Sequence, residues 1–114
     1  MNLKFIYKIC KVSEWLEAKK NKKFIGTDKD KSDGYIHFSS IDQVKLTLKK
    51  YYFNEKELIL LKVKTINLES LLWEQASDGN FFPHLYSTLD ISNVCGEHYL
   101  DLNEDGSHKI PFDY

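Results

Sequence analysis

The chain has 114 residues, enough for one domain with a single hydrophobic core and too few for two independent ones. Sixteen cations, all of them lysine, stand against 17 carboxylates for a formal charge of −1. That balance excludes a general nucleic-acid binder, which needs a sustained positive field and favours arginine forks. Apolar residues make up 42% of the chain and aromatic rings 14%, so large side chains can fill a core without metals or disulfides.

The first segment, "KFIYKICKV", alternates Phe5, Tyr7 and Ile9 against Lys4, Ile6, Lys8 and Cys10. It predicts a strand with one buried and one mixed face. Its lysines break the apolar run, so the segment does not read as a secretory signal. No stretch reaches the length of a membrane span, and a cytoplasmic address is expected. Cys10 and Cys95 lack the spacing of a secreted scaffold and are expected to be reduced and largely buried.

Ser13 precedes "EWLEAKK" where a helix N-cap belongs. The polar run "KKNKKFIGTDKDKSDG" predicts a long surface loop with a short extended piece at Phe24 and Ile25. Loops of that length in small domains are often functional, and these lysines either steer an anion or form a solvated face. "DGYIHFSS" is a turn and a short strand, followed by a helix with Ile41, Val44, Leu48 and Tyr51 at helical period. Ser40 and Gln43 have the spacing of a capping box. "ELILLKVKTI" predicts a central strand covered on both faces.

"LLWEQ" and "FFPHLY" flank a turn at Asp78-Gly79. Pro83 cannot donate to a ladder, so its segment is expected at an edge or to join its strand after the proline. "ISNVCG" predicts one helical turn and "CGEHYLDLN" a last strand. A turn at Asp105-Gly106 and a tail containing His108 complete the chain. The fold class is α+β, with one or two helices against curved, mainly antiparallel sheet.

Two histidines are patterned alike. His37 and His84 each lie among apolar residues in a predicted strand, two positions before a hydroxyl, Ser39 and Tyr86. Residues i and i+2 of a strand face one side. Two such pairs on adjacent strands would line one pocket with imidazole, hydroxyl and phenol groups, a site for a polar ring or a ribose. The competing reading is a pair of hydrogen-bonded core histidines. Glu74, beside Trp73, is a candidate acid or sugar-hydroxyl acceptor, or else a rim charge paired with a lysine. No Cys or His spacing matches a metal site, so no metal is expected.

The sequence resembles the bacterial family called domain of unknown function 952. The resemblance rests on "IYKI" at 6–9, Trp15 and Ala18, Phe24-Ile25-Gly26-Thr27, the stretch Asp33 to Ser39, Trp73-Glu74, and Phe82 to Tyr86. It spans residues 5 to 95. Lys22 and Ser87 stand where that family usually has glycine, and Ser77 where a basic residue is common.

The resemblance implies an ADP-ribosyltransferase-like fold of two small twisted sheets packed across one another around a nucleotide cleft. It implies NAD as a substrate, with transfer of ADP-ribose. His37 and Ser39 would fall on the strand that supports the nicotinamide side. Tyr7 and Lys8 would fall at the first-strand anchor, where arginine or histidine is expected. Tyr86 would stack on the leaving ring. The catalytic residues would be His37, His84 and Glu74, with His84 closer than Glu74 to the usual late position. The alternative is a non-catalytic module binding a small ligand or a protein. Neither membrane nor general nucleic-acid binding is expected.

Overall fold

The computed structural model describes residues 3–111. In chain order the elements are β1 (Phe5–Lys11), α1 (Val12–Asn21), β2 (Lys23–Phe24), α2 (Asp28–Asp33) and β3 (Ile36–His37). A 3-10 turn, Ile41–Gln43, leads into α3 (Val44–Tyr51). Then come β4 (Leu58–Lys64), β5 (Leu71–Gln75), β6 (Phe81–Leu85), β7 (Leu89–Asp90), a second 3-10 turn, Ile91–Asn93, and β8 (Val94–Leu100). The fold is α+β, and the strands form antiparallel sheets in the orders β1-β4-β8, β3-β6-β5 and β2-β7.

The strand β4 is the spine. Leu58, Ile59, Leu60, Leu61 and Val63 are all buried, so the strand is covered on both faces, as its unbroken apolar run predicts. The two faces follow the two-residue period. Ile59, Leu61 and Val63 join Ile6, Cys10, Trp15, Ala18, Phe24, Leu85 and Leu89 in one cluster. Leu58 and Leu60 join Tyr7, Ile9, Leu100 and the α3 residues Val44 and Leu48 in the other. The helix α3 therefore packs on one face of the main sheet. The helix α1 and the two smaller sheets cover the opposite face.

Backbone bonds stitch the sheets together. Tyr7 N–H donates to the Ser39 carbonyl at 2.8 Å and Ser39 N–H to the Tyr7 carbonyl at 2.9 Å. The chain leaving β3 thus pairs with β1 and sets the smaller sheet beside the main one. The capping box at Ser40 is present, with Ser40 N–H donating to Gln43 Oε1 at 3.0 Å. The Gln43 amide also donates to the Phe81 carbonyl at 2.7 Å, tying the start of this helical segment to β6.

Several local expectations are corrected. The mixed face expected of β1 is buried as well: Ile6 through Cys10 are all buried, Lys8 included. Helix α1 starts one residue before Ser13, and the Glu14 carboxylate accepts the Lys11 N–H at 2.7 Å in place of a serine cap. The helix ends on Lys22 at φ 62°, the left-handed conformation that glycine adopts without strain. Pro83 lies within β6, the middle strand of its sheet. Its carbonyl accepts the Phe38 N–H at 3.0 Å, so its missing donor falls on the β3 side, where that short strand has already ended. Cys95 is exposed and Cys10 buried, and burial, its largest influence, pushes the Cys10 thiol up to about 12. His108 is packed rather than in a free tail: its Nε2 lies 2.8 Å from the Glu55 carbonyl.

Because Leu61 is fully enclosed between β1, β8 and the smaller sheets, Leu61→Ala is expected to cost about 2–5 kcal/mol. Urea unfolding checks this. A loss well under about 1 kcal/mol would show that the site can collapse and that β4 is not the spine.

Candidate functional site

The site begins with one buried carboxylate. The short turn after β2 places Gly26 at φ +106°, and a Cβ there would lie 2.8 Å from Asp30 Cβ. Glycine is required on both counts. Thr27 then caps α2: Asp30 N–H donates to Thr27 Oγ1 at 3.2 Å, and Thr27 N–H donates to Asp30 Oδ2 at 2.9 Å. The segment expected as loop is therefore a capped helix, and Asp30, the third residue of that helix and the partner of its cap, is 3% exposed.

Asp30 collects four donors. Oδ2 takes the Thr27 N–H and the Lys8 ammonium, 2.7 Å away, while Oδ1 takes the His37 N–H at 3.1 Å and faces His37 Nδ1 at 2.6 Å. The Lys8 Nζ also donates to the His37 carbonyl at 2.8 Å. Burial raises the Asp30 carboxyl, but the hydrogen bond from His37, the Lys8 ammonium and the Thr27 N–H together hold it well below the usual carboxylate range. Burial pushes the Lys8 ammonium down, with the Asp30 charge opposing. Such burial is tolerable only for a charge so fully paired.

His37 is held from both ends. Its Nε2 lies 3.0 Å from Asp33 Oδ2, so both ring nitrogens face carboxylates. A neutral ring can donate to only one of them, and a doubly protonated ring donates to both. Asp33 also accepts from Lys29 at 3.2 Å, and that bond is the first cause holding its carboxyl below the ordinary value.

His84 sits directly across the ladder, paired with His37 in the β3–β6 register. The two rings meet edge to face with centroids 5.5 Å apart. Tyr35 stacks on His84 at 4.2 Å and 23° and touches Tyr86 at 5.1 Å. His84 Nδ1 lies 2.9 Å from Glu74 Oε1, and the Tyr86 hydroxyl donates to the same oxygen at 2.6 Å. Those two bonds, that of Tyr86 first, hold the Glu74 carboxyl below its ordinary value. The same contact pushes the Tyr86 phenol up to about 12. At neutral pH Glu74 is a carboxylate and Tyr86 a neutral donor.

These groups border a cleft of about 290 Å³. Tyr7, Lys8, Ser39, His37 and His84 line it, and so do Tyr35, Asp30 and Asp33. Ser39 is buried, with its hydroxyl 3.0 Å from that of Thr47. Lys29 and Lys50 reach its mouth from α2 and α3, with their ammonium groups 5.7 and 5.2 Å from the Tyr51 ring centre. Glu74 and Tyr86 do not line the cleft; both are exposed beside His84 and join it through hydrogen bonding and the Tyr35 stack. Among the described residues, no group of three or more His, Cys, Asp or Glu side chains could hold a metal ion, and no helix is long and apolar enough to cross a membrane.

Residues 9–96 match the family described as "Protein of unknown function (DUF952)". The chain belongs to this family. Its fold is shared with protein CC0527 of Caulobacter crescentus, whose crystal structure is 40% identical in sequence at a TM-score of 0.88. The match covers 92% of this chain and 93% of that one. The solution structure of the same Caulobacter protein matches at a TM-score of 0.82, with 40% identity over 92% of this chain and 91% of the other. Comparison with curated proteins gives no match.

Of the residues singled out in the sequence, His37, Ser39, His84, Tyr7 and Lys8 share the cleft, and Glu74 and Tyr86 stand beside it. Tyr35, read from the sequence as core or pocket wall, lines it too, whereas Asp30 and Asp33 were missed as site residues. Asp30 was legible as the fourth member of Thr27-Asp28-Lys29-Asp30, a capping-box spacing directly after a glycine. Nothing in the sequence pairs it with Lys8, which is 22 positions away.

Replacing Asp30 by asparagine strands the Lys8 charge and is expected to cost about 3–5 kcal/mol at pH 7. The folded carboxyl lies below its unfolded value of about 4, so the contribution is complete above roughly pH 4 and fades as pH falls toward the folded value. Urea unfolding of wild type and Asp30→Asn should therefore show a gap at pH 7 that narrows at pH 3. An unchanged gap would mean that the carboxylate charge is not what stabilises the wild type.

Proposed function

We propose that the domain is ADP-ribosyltransferase-like and that its cleft binds NAD, ADP-ribose or a related nucleotide, with transfer of ADP-ribose as its reaction. The observation that carries this reading is the direct pairing of His37 with His84 in one cleft rather than on opposite faces. The rest of the lining suits the parts of such a ligand. Tyr35 offers a stacking face for a ring. The hydroxyls of Ser39 and Thr47 and the backbone beside Tyr7 suit ribose oxygens. Lys29 and Lys50 at the mouth suit phosphates. A volume of about 290 Å³ accepts a ring-and-ribose unit, with the remainder of a dinucleotide along the rim.

The chemistry follows from charge. Cleavage of the bond between nicotinamide and ribose builds positive charge on the sugar, as in other glycosyl transfers. The ionised Glu74, acting through or beside His84, is a source of compensating negative potential, and Tyr35 can stack on the departing ring.

A second reading, a non-catalytic module for a small ligand or a protein, is favoured by one observation. The first-strand cation Lys8 is spent on Asp30, and Glu74 stands outside the lining. Amide NMR titration of the full chain with NAD and with ADP-ribose tests both. Shifts centred on His37 and His84, with at least about tenfold weaker binding in folded His37→Ala, are expected. Release of nicotinamide would establish transfer, and binding without release would leave the module. If neither nucleotide binds, the nucleotide reading falls.

A further inference from the structure

We infer that His84 is the proton-accepting group of the cleft, that Glu74 is its positioning residue, and that His37, despite its matching pattern, is a fixed strut. This deepens the reading of the cleft as a ligand site and rests on it. It also names the class of group served: a nucleophile that must shed a proton, a hydroxyl or water, rather than a carboxylate.

The two imidazoles differ in what is left open. Both nitrogens of His37 are engaged, Nδ1 by Asp30 and Nε2 by Asp33. The Asp30 contact is sealed in the protein together with Lys8. Any proton movement at His37 would first break a carboxylate contact. His84 is engaged at Nδ1 only, by Glu74, and its Nε2 has no partner among the described residues. That nitrogen is not a sealed orphan, because no buried side-chain nitrogen or oxygen among them lacks a hydrogen-bond partner. His84 lines the cleft and its side chain keeps 13% of its exposure.

The orientation of the ring is over-determined. Glu74 accepts at Nδ1, so the proton of the neutral ring resides there and Nε2 keeps its lone pair. Tyr35 covers one face, and the edge-to-face contact with His37 limits rotation. The Tyr86 hydroxyl holds Glu74 from the far side, in the manner of outer-shell partners that orient a working imidazole. A carboxylate holding one nitrogen of a cleft-lining imidazole whose other nitrogen is open has the form of an oriented base. In the proposed transfer, the acceptor oxygen bonds to the ribose carbon as the bond to nicotinamide breaks. The nicotinamide leaves neutral with that electron pair. The acceptor's proton passes to Nε2, and Glu74 stabilises the resulting imidazolium through Nδ1–H.

Two measurements on the full chain test the assignment without any nucleotide. Diethyl pyrocarbonate acylates an unprotonated, accessible imidazole nitrogen. Each His37 nitrogen is covered by a carboxylate and reacts only after that contact opens, so His84 should be acylated at least about tenfold faster than His37 by mass spectrometry. Equal rates, or a faster His37, overturn the proposal. Nitrogen-15 NMR of the neutral His84 ring should show the proton on Nδ1. Glu74→Ala should shift it toward Nε2, and Glu74→Gln, which keeps an acceptor oxygen, should restore the wild-type tautomer. A ring protonated on Nε2 in wild type, or one indifferent to Glu74→Ala, also overturns it. If nicotinamide is released, His84→Asn should lower kcat about 10²–10⁴-fold with KM nearly constant, and an unchanged kcat rejects the role. If wild type releases none, the transfer reading fails, while the acylation ratio and the tautomer still decide the assignment.

Discussion

The Asp30 carboxylate is the constraint on which the rest of the structure hangs. It ties β1, through Lys8, to the start of α2 through Thr27 and to β3 through both the backbone and the ring of His37. A helix of six residues has too few internal bonds to persist alone, so α2 exists because Asp30 is anchored. A buried ion pair is not a reliable source of stability compared with well-packed apolar groups. What it supplies here is direction. The larger core would accept many hydrophobic side chains at position 8, but only a cation there holds Asp30, and through it His37, at one place in the cleft wall.

The parts of the fold that were legible are those dictated by local pattern. The unbroken apolar run of β4 reads as a strand with two covered faces because each face sees its own cluster. The Ser40–Gln43 box and the spacing of Val44 and Leu48 are set within one or two helical turns. The i, i+2 placement of His37 with Ser39 follows from strand geometry alone.

What was illegible is set by distant partners. Lys8 reads as one member of a mixed strand face, and its burial depends on a carboxylate contributed by α2. The stretch around Asp30 reads as loop because lysine and aspartate dominate it, and the capping box that makes it helical is hidden in that composition. Pro83 reads as an edge residue because a missing donor is costly mid-sheet. It is tolerated because β3 is so short that the unmatched position falls at its end. In each case the local rule holds, and the tertiary neighbour changes what it predicts.

The two histidines show why residue pattern and role separate. They occupy one rung of one ladder, and both touch Tyr35. Beyond that, His37 meets the buried, ion-paired Asp30 of α2, whereas His84 meets a carboxylate on β5 that is still 39% exposed. The first environment consumes the hydrogen-bonding capacity of a ring, and the second orients a ring and leaves one nitrogen open. Strand pairing brings chemistry-bearing residues together, and the fold alone assigns no reaction to them. It is the difference in what holds each imidazole, the first turn of a helix for one and a hairpin partner for the other, that makes the two rings of a repeated motif unequal.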